Sequence, residues 1–181
     1  MASASFKCDD LREEYDESVF VGATRGKYAA AALDKPHQRV GSISNAHVGA
    51  DFERVALEFF AKNGIDLSRN FPLELGLSKK KVHCFDLGTS DEKIIVECKS
   101  HRWTAGARVP SAKMTVWNEA MYYFHLAPPD YRKVLFVLHD KRAKVGESLL
   151  GYYARTYSHL IPDGVDYMEW DVATGDIMKI R

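Results

Sequence analysis

The short stretch IIVECK, residues 94–99, most constrains how this chain can fold. Its β-branched apolar start is typical of a strand inside a sheet, yet the stretch ends by placing Glu97 and Lys99 two residues apart. Side chains at that spacing on a strand point to the same face, and Cys98 between them points to the opposite face, into packing. The sequence therefore predicts a buried strand that presents a charged pair on one side.

The surrounding pattern predicts an α/β fold with a mixed central sheet flanked by helices. Apolar residues at helical spacing predict a helix over 51–62, which Asn63-Gly64 ends, and three strands then follow as a meander. The remaining pattern predicts alternating helices and strands. The predicted strands are 71–77, 81–87, 93–99, 134–138 and 165–170, with a short tail strand after Gly175, and the later helices are 111–126 and 147–160.

The length of 181 residues suits one domain. Residues 1–45 are polar and interrupted by glycine and proline, and we expect them to form an N-terminal extension of the same unit as a core at 46–181. A hydrophobic content of 46% excludes a disordered chain. The net charge of zero argues against a wholly basic nucleic-acid coat, although acidic residues crowd the first twenty positions and leave the basic excess downstream.

Several common classes of protein are disfavoured by the absence of their sequence signals. The three cysteines form no C-x-x-C pair and are odd in number, so neither a zinc ribbon nor a disulfide framework is indicated. A Walker loop, a nucleophile elbow, a dinucleotide fingerprint and an H-E-x-x-H motif are also absent. Because no leader-like start and no membrane-length apolar run occur, we expect a soluble cytoplasmic protein.

Asp86 adds a second carboxylate to the charged strand. If 82–87 and 93–99 pair antiparallel about a turn centred between Asp91 and Glu92, Asp86 lies directly opposite Glu97, with Cβ atoms about 4.5–5.5 Å apart. Such close carboxylates repel each other, so one binds a proton or a divalent cation holds both. Magnesium suits oxygen ligands, and Lys99 beside it would stabilise charge on a phosphate or hold an attacking water.

Asp86, ten intervening residues and Glu97-Cys98-Lys99 on consecutive strands, after a helix that carries Glu53, resemble the PD-(D/E)xK nuclease superfamily. The resemblance covers residues from about 50 to 140 and implies a restriction-endonuclease-like core that cuts phosphodiesters with magnesium, for which manganese is expected to substitute. It implies Asp86 and Glu97 as metal ligands, with the Cys98 carbonyl as a third. It also implies Lys99 as the catalytic lysine and Glu53 as an accessory ligand or water orienter.

The chain departs from the superfamily pattern at two places. Phe85 stands where proline precedes the aspartate, which the superfamily tolerates. The Q-x-x-x-Y element of some branches is represented only by Asn118 with Tyr122 and by Glu119 with Tyr123, which argues against exonuclease-like branches.

Plainer interpretations of the same residues remain open. Asp86, Glu97 and Lys99 could form a surface salt bridge at the end of a hairpin, and Glu53 could be an ordinary helix-surface glutamate. A second E-x-K-like sequence, residues 91–93, lies in the predicted turn without an acidic strand partner, so we do not assign it to a site.

Two basic segments are candidates for contact with nucleic-acid phosphates. The first follows Lys99 and provides His101, Arg102 and Lys113, and the second provides Lys141 and Arg142. Solvated loops are the alternative interpretation of both segments.

The sequence thus predicts a magnesium-dependent DNA endonuclease of the restriction or of the repair and recombination type. Because one small domain holds one site, cutting both strands of a duplex predicts a homodimer. The alternative is a non-catalytic nucleic-acid-binding module on the same fold, and RNA stays open as the substrate.

Overall fold

A computed structural model describes residues 45–104, 108–142 and 146–180, with side chains from residue 51 onwards. The predicted N-terminal extension lies outside the described residues, apart from Asn45, and its relation to the core stays a prediction. The helices are α1 (Asn45–Lys62), α2 (Ser111–Leu126) and α3 (Leu149–Thr156), followed by a 3-10 turn at Ser158–Leu160. The strands are β1 (Ser68–Leu75), β2 (Lys81–Thr89), β3 (Ile94–Lys99), β4 (Arg132–Leu138), β5 (Val165–Trp170) and β6 (Ile177–Lys179).

The six strands form one mixed sheet in which they lie side by side in chain order. β1, β2 and β3 form the predicted antiparallel meander, β3, β4 and β5 run parallel, and β6 returns antiparallel to β5. Parallel neighbours need crossover connections, which α2 and α3 supply. The carboxyl ends of β3, β4 and β5 therefore meet at one edge of the sheet, where ligand sites of open α/β sheets lie.

Helices pack on both faces of the sheet, which confirms the predicted α/β architecture. On the α1 face, Phe52 and Phe60 of α1 are buried in the same apolar cluster as Val96 of β3. On the α2–α3 face, Trp117 of α2 and Tyr153 of α3 are buried in a second cluster that contains Ile95 and Leu135. Ile95 and Val96 lie in different clusters because consecutive strand side chains point to opposite faces.

Several elements differ from their predicted bounds: α1 begins at Asn45 instead of 51, β1 spans Ser68–Leu75 instead of 71–77, and β3 and β4 begin one or two residues away from their predicted starts. β2 runs two residues past its predicted end because Gly88 belongs to the sheet, where a Cβ atom would lie 2.5 Å from the Phe71 ring. The turn comprises residues 90–93, and Lys93 there has a φ of 52°. The helix predicted over 147–160 is divided into α3 and the 3-10 turn, and Ile161 is already extended before Pro162, as the residue before a proline tends to be.

The structure bears on two further expectations, which concern membrane-spanning helices and the cysteines. No helix among the described residues combines the length and apolar character that crossing a membrane requires. Cys98 is a free thiol, and the expectation drawn from the cysteine count stays a prediction. The cytoplasmic location stays a prediction.

Candidate active site

The hairpin strands β2 and β3 pair near their turn and then separate. Their paired residues run from Thr89 opposite Ile94 to Leu87 opposite Val96, which confirms the predicted register. Beyond these pairs β2 continues beside β1 and β3 continues beside β4. We call the opening that follows, bounded by Asp86 on β2 and by residues 97–99 on β3, the wedge.

Asp86 bridges the two strands inside the wedge. Its Oδ2 atom accepts a hydrogen bond of 2.7 Å from the backbone N–H of Cys98. A carboxylate thus takes the place of a backbone carbonyl as the partner of this donor. Asp86 and Glu97 act on each other electrostatically, but they are not the cross-strand pair that was predicted, because the pairing ends at Leu87 and Val96.

Glu97 is buried and held from two sides. Its Oε2 atom lies 2.5 Å from the Lys99 ammonium, and its Oε1 atom lies 3.5 Å from Nε2 of His83. The side chains of Glu97 and Lys99 are only 7% and 12% exposed. The pair is therefore an enclosed ion pair, which differs from the solvent-exposed salt bridge considered as the plain alternative.

Burial and mutual charge set the protonation of the three groups. Burial first, and the neighbouring Glu97 charge second, raise the pKa of Asp86 to about 6. Burial also raises the pKa of Glu97, but Lys99 and His83 outweigh it and leave that pKa below its ordinary value. Burial lowers the pKa of Lys99, but the two carboxylates outweigh it and raise the pKa above its ordinary value. Near neutral pH, Glu97 and Lys99 are charged and Asp86 is the group whose charge depends on pH.

Glu53 approaches the same residues from α1. It is half-buried, and its carboxylate lies 3.5 Å from the Arg69 guanidinium of β1. Burial raises the pKa of Glu53, Arg69 opposes that shift, and Glu97 and Lys99 also act on it. The structure therefore brings together all four residues that the sequence assigned to catalysis.

The wedge offers oxygen ligands suited to a hard cation. Among the described residues, no group of three or more His, Cys, Asp or Glu side chains could hold a metal ion. The predicted set needs only two carboxylates, because Mg²⁺ commonly binds one or two and keeps several waters. Oδ2 of Asp86 and both oxygens of Glu97 already have protein partners, and each of these oxygens keeps a second lone pair that a cation could use.

Cys98 contributes to the wedge through its backbone. Its side chain packs with the α1-face cluster, as the strand alternation predicted. Burial raises the pKa of its thiol well above the ordinary value, which disfavours the thiolate that metal binding needs. A role for the Cys98 carbonyl as a third ligand stays a prediction.

His83 is a member of the site that the sequence did not reveal. Its ring stacks on Tyr123 with centroids 3.6 Å apart and meets the edge of Phe85. These contacts orient the imidazole whose Nε2 faces Glu97. The hairpin register could not have found it, because extending the register past the last pair places His83 level with Ser100, on the face opposite to Glu97.

His101 lies beside Lys99 as a neutral group. Its Nδ1 atom accepts a hydrogen bond of 2.8 Å from Nε1 of Trp117. Burial, followed by the charges of Lys113 and Lys99, lowers the pKa of His101 to about 4. The residue was predicted as part of a basic segment, but any contact with a phosphate would be made by an uncharged ring.

The two basic segments meet through Trp103 and Asp140. The Trp103 backbone N–H donates to Oδ2 of Asp140 at 2.7 Å, and its indole N–H donates to the Asp140 carbonyl at 3.1 Å. Arg142 lies over the Trp103 ring at 4.0 Å, and Arg102 lies 3.5 Å from Asp140. We call these four residues the basic cluster. Lys113 and Lys141, also predicted to contact phosphates, are exposed.

No family model, curated protein or solved structure matches this chain. What the protein does is therefore inferred from the wedge and from the residues around it.

Proposed function

We propose that this protein is a magnesium-dependent endonuclease that hydrolyses DNA phosphodiester bonds. The observation that carries the proposal is the convergence of Asp86, Glu97 and Lys99 in an opening between two strands, where the side chains of Glu97 and Lys99 are largely buried. Buried charge is costly to maintain, and a hydrophobic replacement commonly packs as well or better. A perturbed acid next to a buried acid–lysine pair is typical of a site with a chemical task.

The order of elements supports a restriction-endonuclease-like core. A helix that carries Glu53 precedes a three-stranded meander, and a crossover helix then leads to β4, which lies parallel to β3. This is the arrangement that the sequence resemblance implies. The wedge lies where the meander meets the parallel part of the sheet.

Each residue of the wedge has a role in the proposed reaction. Asp86 and Glu97, with the Cys98 carbonyl, would hold Mg²⁺ or Mn²⁺, which would lower the pKa of a bound water and offset charge on the phosphate. Lys99 places a positive charge where the phosphate gains negative charge, and its burial strengthens that interaction. Glu53 orients the attacking water from the α1 side.

The substrate follows from the charge around the wedge. The basic cluster lies on the segments that follow β3 and β4, at the edge where the carboxyl ends of the parallel strands meet. Arginines placed there are suited to phosphate oxygens, which dominate affinity for nucleic acids. We propose DNA as the substrate and a restriction or repair role.

The proposal is tested by incubating supercoiled plasmid with purified protein in Mg²⁺ and in EDTA. We expect nicking in Mg²⁺ alone, and a loss of about 100-fold or more in Glu97→Gln and Lys99→Met, since each removes preorganised charge. Glu92→Gln and Lys80→Met are the matched controls, because both residues are exposed and neither belongs to the wedge. Cleavage that survives EDTA, or that survives both wedge substitutions, would refute the assigned site.

A second candidate, a non-catalytic nucleic-acid-binding module, is favoured by one observation. Both oxygens of Glu97 already have protein partners, so the buried pair is satisfied without a metal. This candidate predicts binding without nicking and an affinity that Asp86→Asn leaves unchanged. Fluorescence anisotropy with labelled DNA and RNA of the same sequence tests both points and decides between the two nucleic acids.

A further inference from the structure

A second buried acid–histidine pair lies at the carboxyl ends of β4 and β5. Nδ1 of His139 is 2.7 Å from Oε2 of Glu169, and the two side chains are 11% and 3% exposed. The other carboxylate oxygen of Glu169, Oε1, is buried and has no hydrogen-bond partner among the described residues. The role proposed for the wedge does not use this pair.

The sheet register places the pair on the same face as Lys99. Lys99 lies opposite Val137, and Val137 lies opposite Glu169, so the three form one row across parallel strands. Ile95, Val137 and Tyr167 all belong to the α2–α3 face cluster, and strand alternation puts Lys99 and Glu169 on that face. Two strand spacings separate Lys99 from Glu169, or about 10 Å between backbones.

His139 stands between the wedge and the basic cluster. Its backbone N–H donates to the Trp170 carbonyl at 2.8 Å, which continues the β4–β5 pairing past the end of β4. The next residue, Asp140, is the one that holds Trp103 and Arg102. His139 therefore lies at the edge where the parallel strands end, next to the residue that joins the basic cluster.

The pair is built to present one atom of the histidine. A carboxylate that engages Nδ1 fixes the ring orientation and leaves Nε2 as the atom available to a ligand. If the pair served packing alone, the second oxygen of Glu169 would not need to remain buried without a partner, because apolar residues fill such space at lower cost. The residual exposure of His139 leaves part of its side chain accessible.

We propose that His139, held by Glu169, is a substrate-contacting residue whose imidazolium form, with Nδ1–H on Glu169, donates Nε2–H to a backbone phosphate beside the scissile one. The inference rests on the proposed function and extends it, because it gives the bound strand a path from the wedge along the ends of β3 and β4 to the basic cluster. The contact is to the backbone, so it contributes affinity without base preference.

The first test follows the histidine ring nitrogens of the ¹⁵N-labelled wild-type protein by NMR during titration with a short DNA duplex in EDTA, where magnesium-dependent cutting cannot occur. We expect the Nε2 resonance of His139 to shift on binding, while that of His125, an exposed histidine of α2, stays in place. An unmoved His139 resonance at saturating DNA would overturn the inference, as would the absence of binding.

The second test compares variants that preserve size. We expect His139→Gln to weaken DNA binding in EDTA about tenfold, the usual scale for one hydrogen bond to a charged group. In Mg²⁺ we expect a rise in KM with little change in kcat, which marks lost binding rather than lost chemistry. Glu169→Gln should give a smaller change in the same direction, and His125→Gln should leave affinity and KM unaltered.

These readouts separate this inference from the proposed function. If wild-type protein binds DNA through His139 but never nicks it, the endonuclease fails and the contact stands. If wild-type protein nicks and His139→Gln binds and cuts like wild type, the contact fails and the endonuclease stands. A His139→Gln variant that only melts earlier, with unchanged affinity below its melting temperature, would show that the pair is structural.

Discussion

Asp86 performs two tasks with one side chain. It accepts the Cys98 N–H and so closes the end of the β2–β3 pairing, and it faces Glu97 as the second carboxylate of the wedge. Its neighbour Glu97 keeps its charge because Lys99 and His83 surround it. The charge state of the site near neutral pH is therefore decided at Asp86.

Without metal, the raised pKa of Asp86 should make the protein less stable as the pH rises. The folded state holds this proton up to about pH 6, whereas the unfolded chain releases it near pH 4, so stability from this residue is complete below about pH 4 and lost by about pH 6. In the wild type, Asp86 should lower the free energy of unfolding by about 2 to 3 kcal/mol as the pH rises across that interval. We expect the Asp86→Asn variant to lack this decrease. Urea denaturation in EDTA measures it.

The comparison of variant with wild type is needed because Glu97 acts in the opposite sense. Its lowered pKa gives stability above the unfolded value, and that stability is lost as the pH falls through the folded value. The Glu97 contribution is largely common to both proteins. Parallel pH profiles for wild type and Asp86→Asn would contradict the assigned pKa.

The same acid should make magnesium binding depend on pH. A metal must displace the proton from Asp86, so we expect Mg²⁺ to raise the melting temperature more above about pH 6 than below about pH 5. Thermal unfolding with and without Mg²⁺ measures the effect, and Lys80→Met serves as the control. A shift that is independent of pH, or that persists in Asp86→Asn, would place the cation elsewhere.

Single elements show where sequence patterns succeed and where they do not. β5 occupies its predicted range, 165–170, and the β2–β3 register is as predicted, because alternation and turn position are local properties of the chain. The pattern ended β2 at residue 87, but Gly88 continues the strand against the Phe71 ring, which comes from another strand. His101 was counted as basic because its partner, Trp117, lies on a later helix.

Gly88 offers a test at this scale. A Cβ atom there would lie 2.5 Å from the Phe71 ring and 2.9 Å from the Ile94 carbonyl oxygen, and the backbone oxygen has little room to move. We expect Gly88→Ala to lower the free energy of unfolding by about 1 to 3 kcal/mol, the range for overpacked sites. Ser90→Ala, in the exposed turn, is the control for chemical denaturation. A Gly88→Ala variant as stable as wild type would show that the sheet does not need this close approach.

In the molecule as a whole, the candidate functional residues lie at one edge of the sheet. Parallel β3, β4 and β5 bring the wedge, the His139–Glu169 pair and the basic cluster to the same side, although they are distant in sequence. The residues of the candidate site could be predicted because one hairpin and one helix carry them. The joining of the two basic segments and the pairing of His139 with Glu169 could not, because each depends on the sheet order and on crossover connections.

Double-strand cleavage should require two copies of the chain. Each chain has one wedge in its described residues, and one site cuts one strand at a time, so we expect a two-fold dimer to produce linear plasmid. Sedimentation should show a dimer at concentrations that linearise plasmid, and dilution below the dimer range should leave nicked circles as the product. Linear product formed in one binding event by a sedimenting monomer would contradict this prediction.

The separation of β2 and β3 at Asp86 also places stability and the proposed function in opposition. An aliphatic residue at this position would relieve the charge repulsion with Glu97, but it would remove both the acceptor of the Cys98 N–H and the proposed metal ligand. Relief of that repulsion would therefore come at the expense of the proposed metal site.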